Sequence, residues 1–171
     1  MASIREELEQ EFREGKLDYI VEDLKRFLEE QRDNLQRLLT HDMSGLHVGI
    51  TRVIRRRNFD ERSRFDLAVR LLIKQARTIN PARDIKGQLA DIAREIWLEG
   101  ERLGRACDRT DENRIAKEWN DRFGAKFRDW MLLRVLFVFD RHREAFEEYF
   151  KVRPEKPRET GSRKRGPRKT G

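Results

Sequence analysis

Residues 17–39 read LDYIVEDLKRFLEEQRDNLQRLL. Leu17, Ile20, Val21, Leu24, Phe27, Leu28, Leu35, Leu38 and Leu39 recur there at helical steps, mostly of three and four, with charged residues between them. A helix with 3.6 residues per turn gathers such positions on one side, whereas a strand would scatter them over two faces. The stripe therefore predicts a helix whose apolar side must be buried by other helices.

The same period continues on both sides. Ile4, Leu8 and Phe12 repeat every four residues, and Gly15 predicts a break after them. Leu46, Ile50, Val53 and Ile54 mark a helix over about 43–56, which Gly45 and Gly49 weaken by roughly 1 kcal/mol each relative to Ala. Asn58 or Asp60 is expected to cap the next helix, which carries Phe65, Leu67, Ala68, Leu71, Leu72 and Ile79. Asn80-Pro81 is a strong start signal, because Asn caps and Pro at the first helical position forfeits no hydrogen bond. That helix continues through Ile85, Leu89, Ile92, Ala93, Ile96, Trp97 and Leu103. Thr110, followed by Asp111 and Glu112, predicts the last start, a capping hydroxyl with carboxylates at the positive end of the helix dipole. From Asp111 to about Lys151 this helix would be roughly 60 Å long, with Gly124 the place for a bend. No strand signal exceeds four residues, no Asn-Gly or Asp-Gly turn occurs, and no repeat of 20–50 residues is evident. The expected fold is all-α: a bundle of four to six helices over residues 1–150 with a long C-terminal helix.

Charged residues make up 42% of the 171 and apolar ones 37%, a low apolar share that still falls at helical spacing. The charge is unevenly spread. Residues 1–42 carry a net of −5, residues 43–150 a net of +5, and residues 151–171 a net of +7, so the last segment carries the whole formal charge of the chain. That segment holds three of the four prolines and no aliphatic residue after Val152. It cannot bury enough apolar area to offset its ordering entropy, and a disordered basic tail is expected.

Several function classes are disfavoured. The single cysteine, Cys107, permits no internal disulfide and no thiolate zinc cluster. The longest apolar stretch, Trp130 to Phe139, is ten residues interrupted by Arg134, too short to span a membrane. The first residues have no signal-peptide character, and a reducing, cytoplasmic location is expected. Gly-rich phosphate loops, Glu-x-x-His pairs and His-Glu-x-x-His are absent. His41-Asp42 matches the doublet of HD-type phosphohydrolases, but no other His lies upstream. His41, His47 and His142 are therefore assigned to loops or caps. No cofactor and no catalytic residue are expected.

The tail supplies the main candidate site. Residues 161–169 read GSRKRGPRK, in which Arg163, Lys164, Arg165, Arg168 and Lys169 are cations on a flexible backbone. Such a segment binds polyanions by phosphate contact and counterion release. It is similar to the AT-hook, a minor-groove peptide with a Gly-Arg-Pro core, but no Arg stands between Gly166 and Pro167. That arginine lies along the floor of the groove, so no A·T preference follows. A second cluster, Arg52, Arg55, Arg56 and Arg57 with Arg62 and Arg64, offers bidentate phosphate donors, or else partners for the acidic N-terminal helices.

Nine of the fifteen aromatic residues lie between Trp119 and Phe150. Trp119, Phe123, Phe127, Trp130 and Phe137 follow the core period, so burial rather than base stacking is expected. Phe137, Val138 and Phe139 are consecutive, which predicts a helix apolar on most sides, central in the bundle or at a subunit interface. Arg105 and Arg109 beside Cys107 would lower its pKa, yet no His or second Cys is near, and a half-exposed structural thiol is the better assignment. Gly100 and Gly104 are expected to mark a close helix crossing.

The expected function is a non-enzymatic accessory protein that binds RNA or DNA through phosphates without reading sequence, as a small helical subunit of a nucleoprotein assembly. The alternative is a protein-interaction scaffold, a homo- or hetero-oligomer formed through residues 119–150, without nucleic acid binding.

Overall fold

The computed structural model describes residues 3–40 and 61–150. The helix expected over 43–56, the caps at Asn58 and Asp60, and the tail 151–171 lie outside the described residues. Within them the chain forms six helices and no strand: α1 Ile4–Arg13, α2 Asp18–Glu30, α3 Arg32–Leu39, α4 Glu61–Ala76, α5 Pro81–Leu103, and α6 over 109–149. α6 is one continuous rod in three parts, Arg109–Trp119, a π-helical turn at Asn120–Gly124, and Ala125–Tyr149.

Local chemistry sets the ends. Ser3 and Glu6 exchange hydrogen bonds in a capping box that opens α1. Gly15, in the left-handed region at φ 70°, turns the chain into α2. The expected single stripe from Leu17 to Leu39 is two helices, with the break at Gln31. Between Leu28 and Leu35 no apolar side chain occurs, so nothing anchors that turn to the core. α4 stops at Ala76, short of Ile79, because Arg77 takes a left-handed conformation at φ 64°. Asn80 caps α5 as expected: its side chain accepts from the Arg83 N–H at 3.2 Å, and Pro81 follows. The cap of α6 is Asp108 rather than Thr110. The Asp108 carboxylate accepts from the N–H groups of Thr110 and Asp111, both at 2.9 Å, and Asp111 returns the bond to the Asp108 N–H. One carboxylate satisfies two orphan donors there, which a hydroxyl two residues later does not.

The core lies where α2, α4 and the second half of α6 meet. Ile20, Leu24 and Leu28 of α2, Val69 and Ile73 of α4, and Val138 and Phe139 of α6 are almost wholly buried. Phe139 stands between Phe65 and Phe146, with ring centroids 6.3 and 6.2 Å away. α3 packs on α4, and α1 packs on α6. The Phe12 ring meets Phe137 edge-on at 5.9 Å, which covers the third member of the consecutive apolar triplet. The second half of α6 is therefore central in the body, apolar on most sides because helices surround it.

The π turn sets how α6 serves two neighbours. Its buried positions step from Ile115 by four to Trp119 and then by five to Gly124. The extra residue shifts the register of everything that precedes it. Phe123, which the sequence period places in the core, is 45% exposed, and Phe127 and Trp130 are only half-buried.

Candidate functional site

α5 and the first half of α6 form an antiparallel two-helix arm that leaves the body at Asn80 and returns to it near Met131. The turn at the tip is short because two glycines permit it. Gly104 ends α5 in the left-handed region at φ 64°. A Cβ at Gly100 would sit 3.3 Å from the Arg105 carbonyl of the returning chain. The close helix crossing expected at these glycines is not there: Gly100 meets the backbone of the turn at Arg105, nothing lies within 4 Å of a Cβ at Gly104, and both serve the turn. Further down, a Cβ on Gly87 would lie 3.0 Å from the Phe127 ring, so this glycine lets α5 and α6 approach closely.

Charges tie the tip together. Glu99 accepts a bidentate pair from Arg102 at 2.7 and 2.8 Å, and Arg114 of α6 reaches the same carboxylate at 3.3 Å. Arg105 pairs with Asp111 at 2.9 Å. The Arg102 hydrogen bonds hold the Glu99 carboxyl down to about 2, from an ordinary value of 4.5. Asp111 is lowered as well, by Arg105 first. A carboxylate depressed by folding adds stability that is complete above its unfolded pKa and is lost as pH falls towards the folded one. The arm is thus expected to keep its tip at pH 5 and to loosen between about pH 4.5 and about pH 2. Fluorescence of Trp97 and Trp119, one on each helix, reports it. Glu99→Gln is expected to diminish the response in that window, and an unchanged acid transition would count against the network.

Cys107 lies inside the tip. Its Sγ contacts the Ile96 carbonyl at 3.4 Å, and burial with the nearby Asp111 and Glu99 charges pushes the thiol pKa up, outweighing Arg105. The lowering expected from the flanking arginines does not occur, because Arg105 is spent on Asp111. A half-buried structural thiol is what the site contains. Beside it a groove of about 630 Å³ opens between Ala93, Ile96, Trp97, Gly100 and Cys107.

A latch fixes the arm's base. Asp23 of α2, the one buried charged residue among the described residues, accepts from Arg83 Nε at 2.7 Å and from Arg26 at 3.3 Å. The Arg83 guanidinium also lies over the Tyr19 ring, 4.3 Å from its centroid. Removing Arg83 leaves the buried carboxylate with only Arg26, which sits mostly in solvent. Arg83→Ala is expected to cost about 2–3 kcal/mol in urea unfolding. The double variant Asp23→Leu with Arg83→Met is expected to stay within about 1 kcal/mol of the wild type, because no charge is stranded. Equal losses in the two would refute the latch.

The sequence-predicted phosphate contacts, Arg52, Arg55, Arg56 and Arg57 and the tail residues Arg163, Lys164, Arg165, Arg168 and Lys169, lie outside the described residues. So do Arg62's side chain, His41 and His47. Arg64 is described: its Nη1 donates to the Leu39 carbonyl at 3.2 Å, which joins α4 to α3. Acidic residues of the N-terminal helices find partners elsewhere. Glu11 pairs with Arg134 at 2.5 and 2.8 Å, Glu9 with Arg141, Asp23 with Arg83, and Glu29 with Arg32. His142 lies against Phe12, ring centroids 6.0 Å apart.

The aromatic segment 119–150 turns most of its rings inward or onto neighbouring helices. Among the described residues Phe123, Leu133 and Tyr149 of that segment stay exposed, but most of the uncovered apolar surface is on α5, none of whose 23 residues is buried. Ile85, Leu89, Trp97, Leu98 and Leu103 are all exposed. The sequence signal for them was the same stripe that marks a core helix, and no sequence feature separates the two cases. Among the described residues no group of three His, Cys, Asp or Glu is placed to hold a metal ion, and no helix is long and apolar enough to cross a membrane. What the described surface offers chemically is a rigid apolar face on a braced arm. No protein-family model, no curated protein and no solved structure matches the chain.

Proposed function

We propose that the chain is a non-enzymatic accessory protein that contacts RNA or DNA through Arg163, Lys164, Arg165, Arg168 and Lys169, with Arg52, Arg55, Arg56 and Arg57 as a second cluster, as a small helical subunit of a nucleoprotein assembly. The observation that carries this is the partition of charge: residues 1–150 are neutral in sum, and residues 151–171 hold +7. The body supports the reading by how it uses its arginines. Arg70, Arg83, Arg102, Arg105, Arg114 and Arg134 are all engaged by carboxylates of the same chain. The acids that would otherwise neutralise the cluster at Arg52–Arg57 include Glu9, Glu11, Asp23 and Glu29, which already have partners. Binding would be loose, fast and independent of sequence, because cations that contact phosphates do so without reading base edges. The test is fluorescence anisotropy with labelled single- and double-stranded oligonucleotides over a series of salt concentrations. It compares the full chain with a full-length variant in which the five cations of residues 163–169 are glutamine.

A second reading, a protein-interaction scaffold without nucleic acid affinity, is favoured by the uncovered face of α5. It predicts no anisotropy change at any salt concentration together with self- or partner association.

A further inference from the structure

α5 is only partly covered: Gly87, Gln88, Ile92, Ile96, Glu99 and Gly100 are half-buried. Over 23 residues it has no buried position, although it carries Trp97 at 63%, Leu89 at 61% and Ile85 at 57% exposure. Ile85, Leu89, Ala93 and Trp97 follow one another at steps of four, so they form one gently slanting stripe. α6 lies against other positions of α5, as the Gly87–Phe127 approach and the Glu99–Arg114 pair show. Among the described residues α6 is the helix that packs along the arm; Ile85 and Leu89 are exposed beside that contact, and Ala93 and Trp97 line the open groove next to Cys107.

The pattern of the stripe names its occupant. Ala93 sits midway between Leu89 and Trp97, with a small side chain where two helices could cross closely. A two-fold axis through Ala93, with a second α5 running antiparallel, sets Leu89 of each copy opposite Trp97 of the other. The same operation sets Lys86 of each copy beside Glu101 of the other. Both are exposed on one flank of the stripe, and neither has a partner among the described residues. A residue pattern that is self-complementary in size and in charge under one rotation is what an isologous interface requires. A parallel copy would instead set Lys86 against Lys86 and Glu101 against Glu101.

We propose that the face of α5 is a self-association surface, where a second copy of this chain docks antiparallel about Ala93. A helix of 23 residues is about 35 Å long and about 10 Å across, so one such face offers roughly 350 Å² per copy. Over both copies that is roughly 700 Å², below the ~1,200 Å² at which specific, stable interfaces begin, so the contact is weak and transient. The dimer is therefore concentration-dependent, with a dissociation constant of about 10–100 μM, rather than obligate. It doubles the number of cationic segments per particle, but it does not depend on nucleic acid binding.

Sedimentation equilibrium of the full chain, from about 5 μM to about 1 mM, tests this. The wild type is expected to pass from monomer to dimer across that range. Trp97→Glu and Leu89→Glu are expected to weaken association at least about 30-fold while helical circular dichroism stays unchanged, since both side chains face solvent in the monomer. Lys86→Glu is expected to weaken it about 3- to 10-fold, and adding Glu101→Lys to restore it. A wild type that stays monomeric throughout overturns the proposal. So does a dimer that survives Trp97→Glu, or a charge swap that fails to rescue.

Discussion

Phe139→Ala is expected to destabilise the chain by about 3–5 kcal/mol, and Phe123→Ala by no more than about 0.5 kcal/mol. The two residues are the same type on the same rod. Phe139 is fully buried between Phe65 and Phe146, with the Arg70 guanidinium 5.6 Å above its ring. Truncation removes a large apolar side chain and leaves a hole that three helices must close around, and cores at crystal-like density relax only partly. Phe123 touches Trp119 at 6.4 Å but keeps 45% of its surface in water. Urea unfolding of both variants measures the difference. Comparable losses would show that the π turn at Asn120–Gly124 does not set the register described.

Neutralising Arg163, Lys164, Arg165, Arg168 and Lys169 together is expected to abolish about half of the salt dependence of nucleic acid binding, the share of five contacts beside the four of the Arg52, Arg55, Arg56 and Arg57 cluster. Five phosphate contacts contribute a log–log slope of about −3.5 on single strands and about −4.5 on duplex. Raising salt fourfold, from about 50 to about 200 mM, then weakens the wild type by about 100- to 500-fold through these contacts alone. The five-glutamine variant loses that share of affinity at low salt and that share of the slope. A separate variant with Arg52, Arg55, Arg56 and Arg57 as glutamine isolates the second cluster, expected to steepen binding by a further 3–4 in slope. Equal binding by the wild type and the five-glutamine variant, or an affinity indifferent to salt, would refute the contribution of the tail. Overlap of that affinity with the α5 dimer is testable, because Trp97→Glu is expected to leave the slope per monomer unchanged.

The balance of charge in the body bears on both results. Its cross-helix pairs, Glu11–Arg134 and Arg70–Asp140, bridge elements and are partly covered. The arginines that make them are poor phosphate ligands, since a polyanion would first have to displace an intramolecular carboxylate.

What the amino-acid order determined by itself was the helical architecture. The spacing of Leu17 to Leu39, the left-handed Gly15, the Asn80-Pro81 start and the long rod ending near Phe150 are local properties, set by side-chain period and backbone conformation. Period also marked out which residues are apolar enough to need cover. It did not decide which of them receive it. The stripe of α2 and the stripe of α5 have the same form, yet one is enclosed by α4 and α6 and the other faces water. Nor did it decide that Phe139 is enclosed and Phe123 is not, or that Asp108 caps in place of Thr110. Cover depends on which helices meet across long sequence separations. One inserted residue in the π turn rotates the first half of α6 relative to the second. That rotation, which only the tertiary structure sets, divides the chain into a closed body and an arm with an open face.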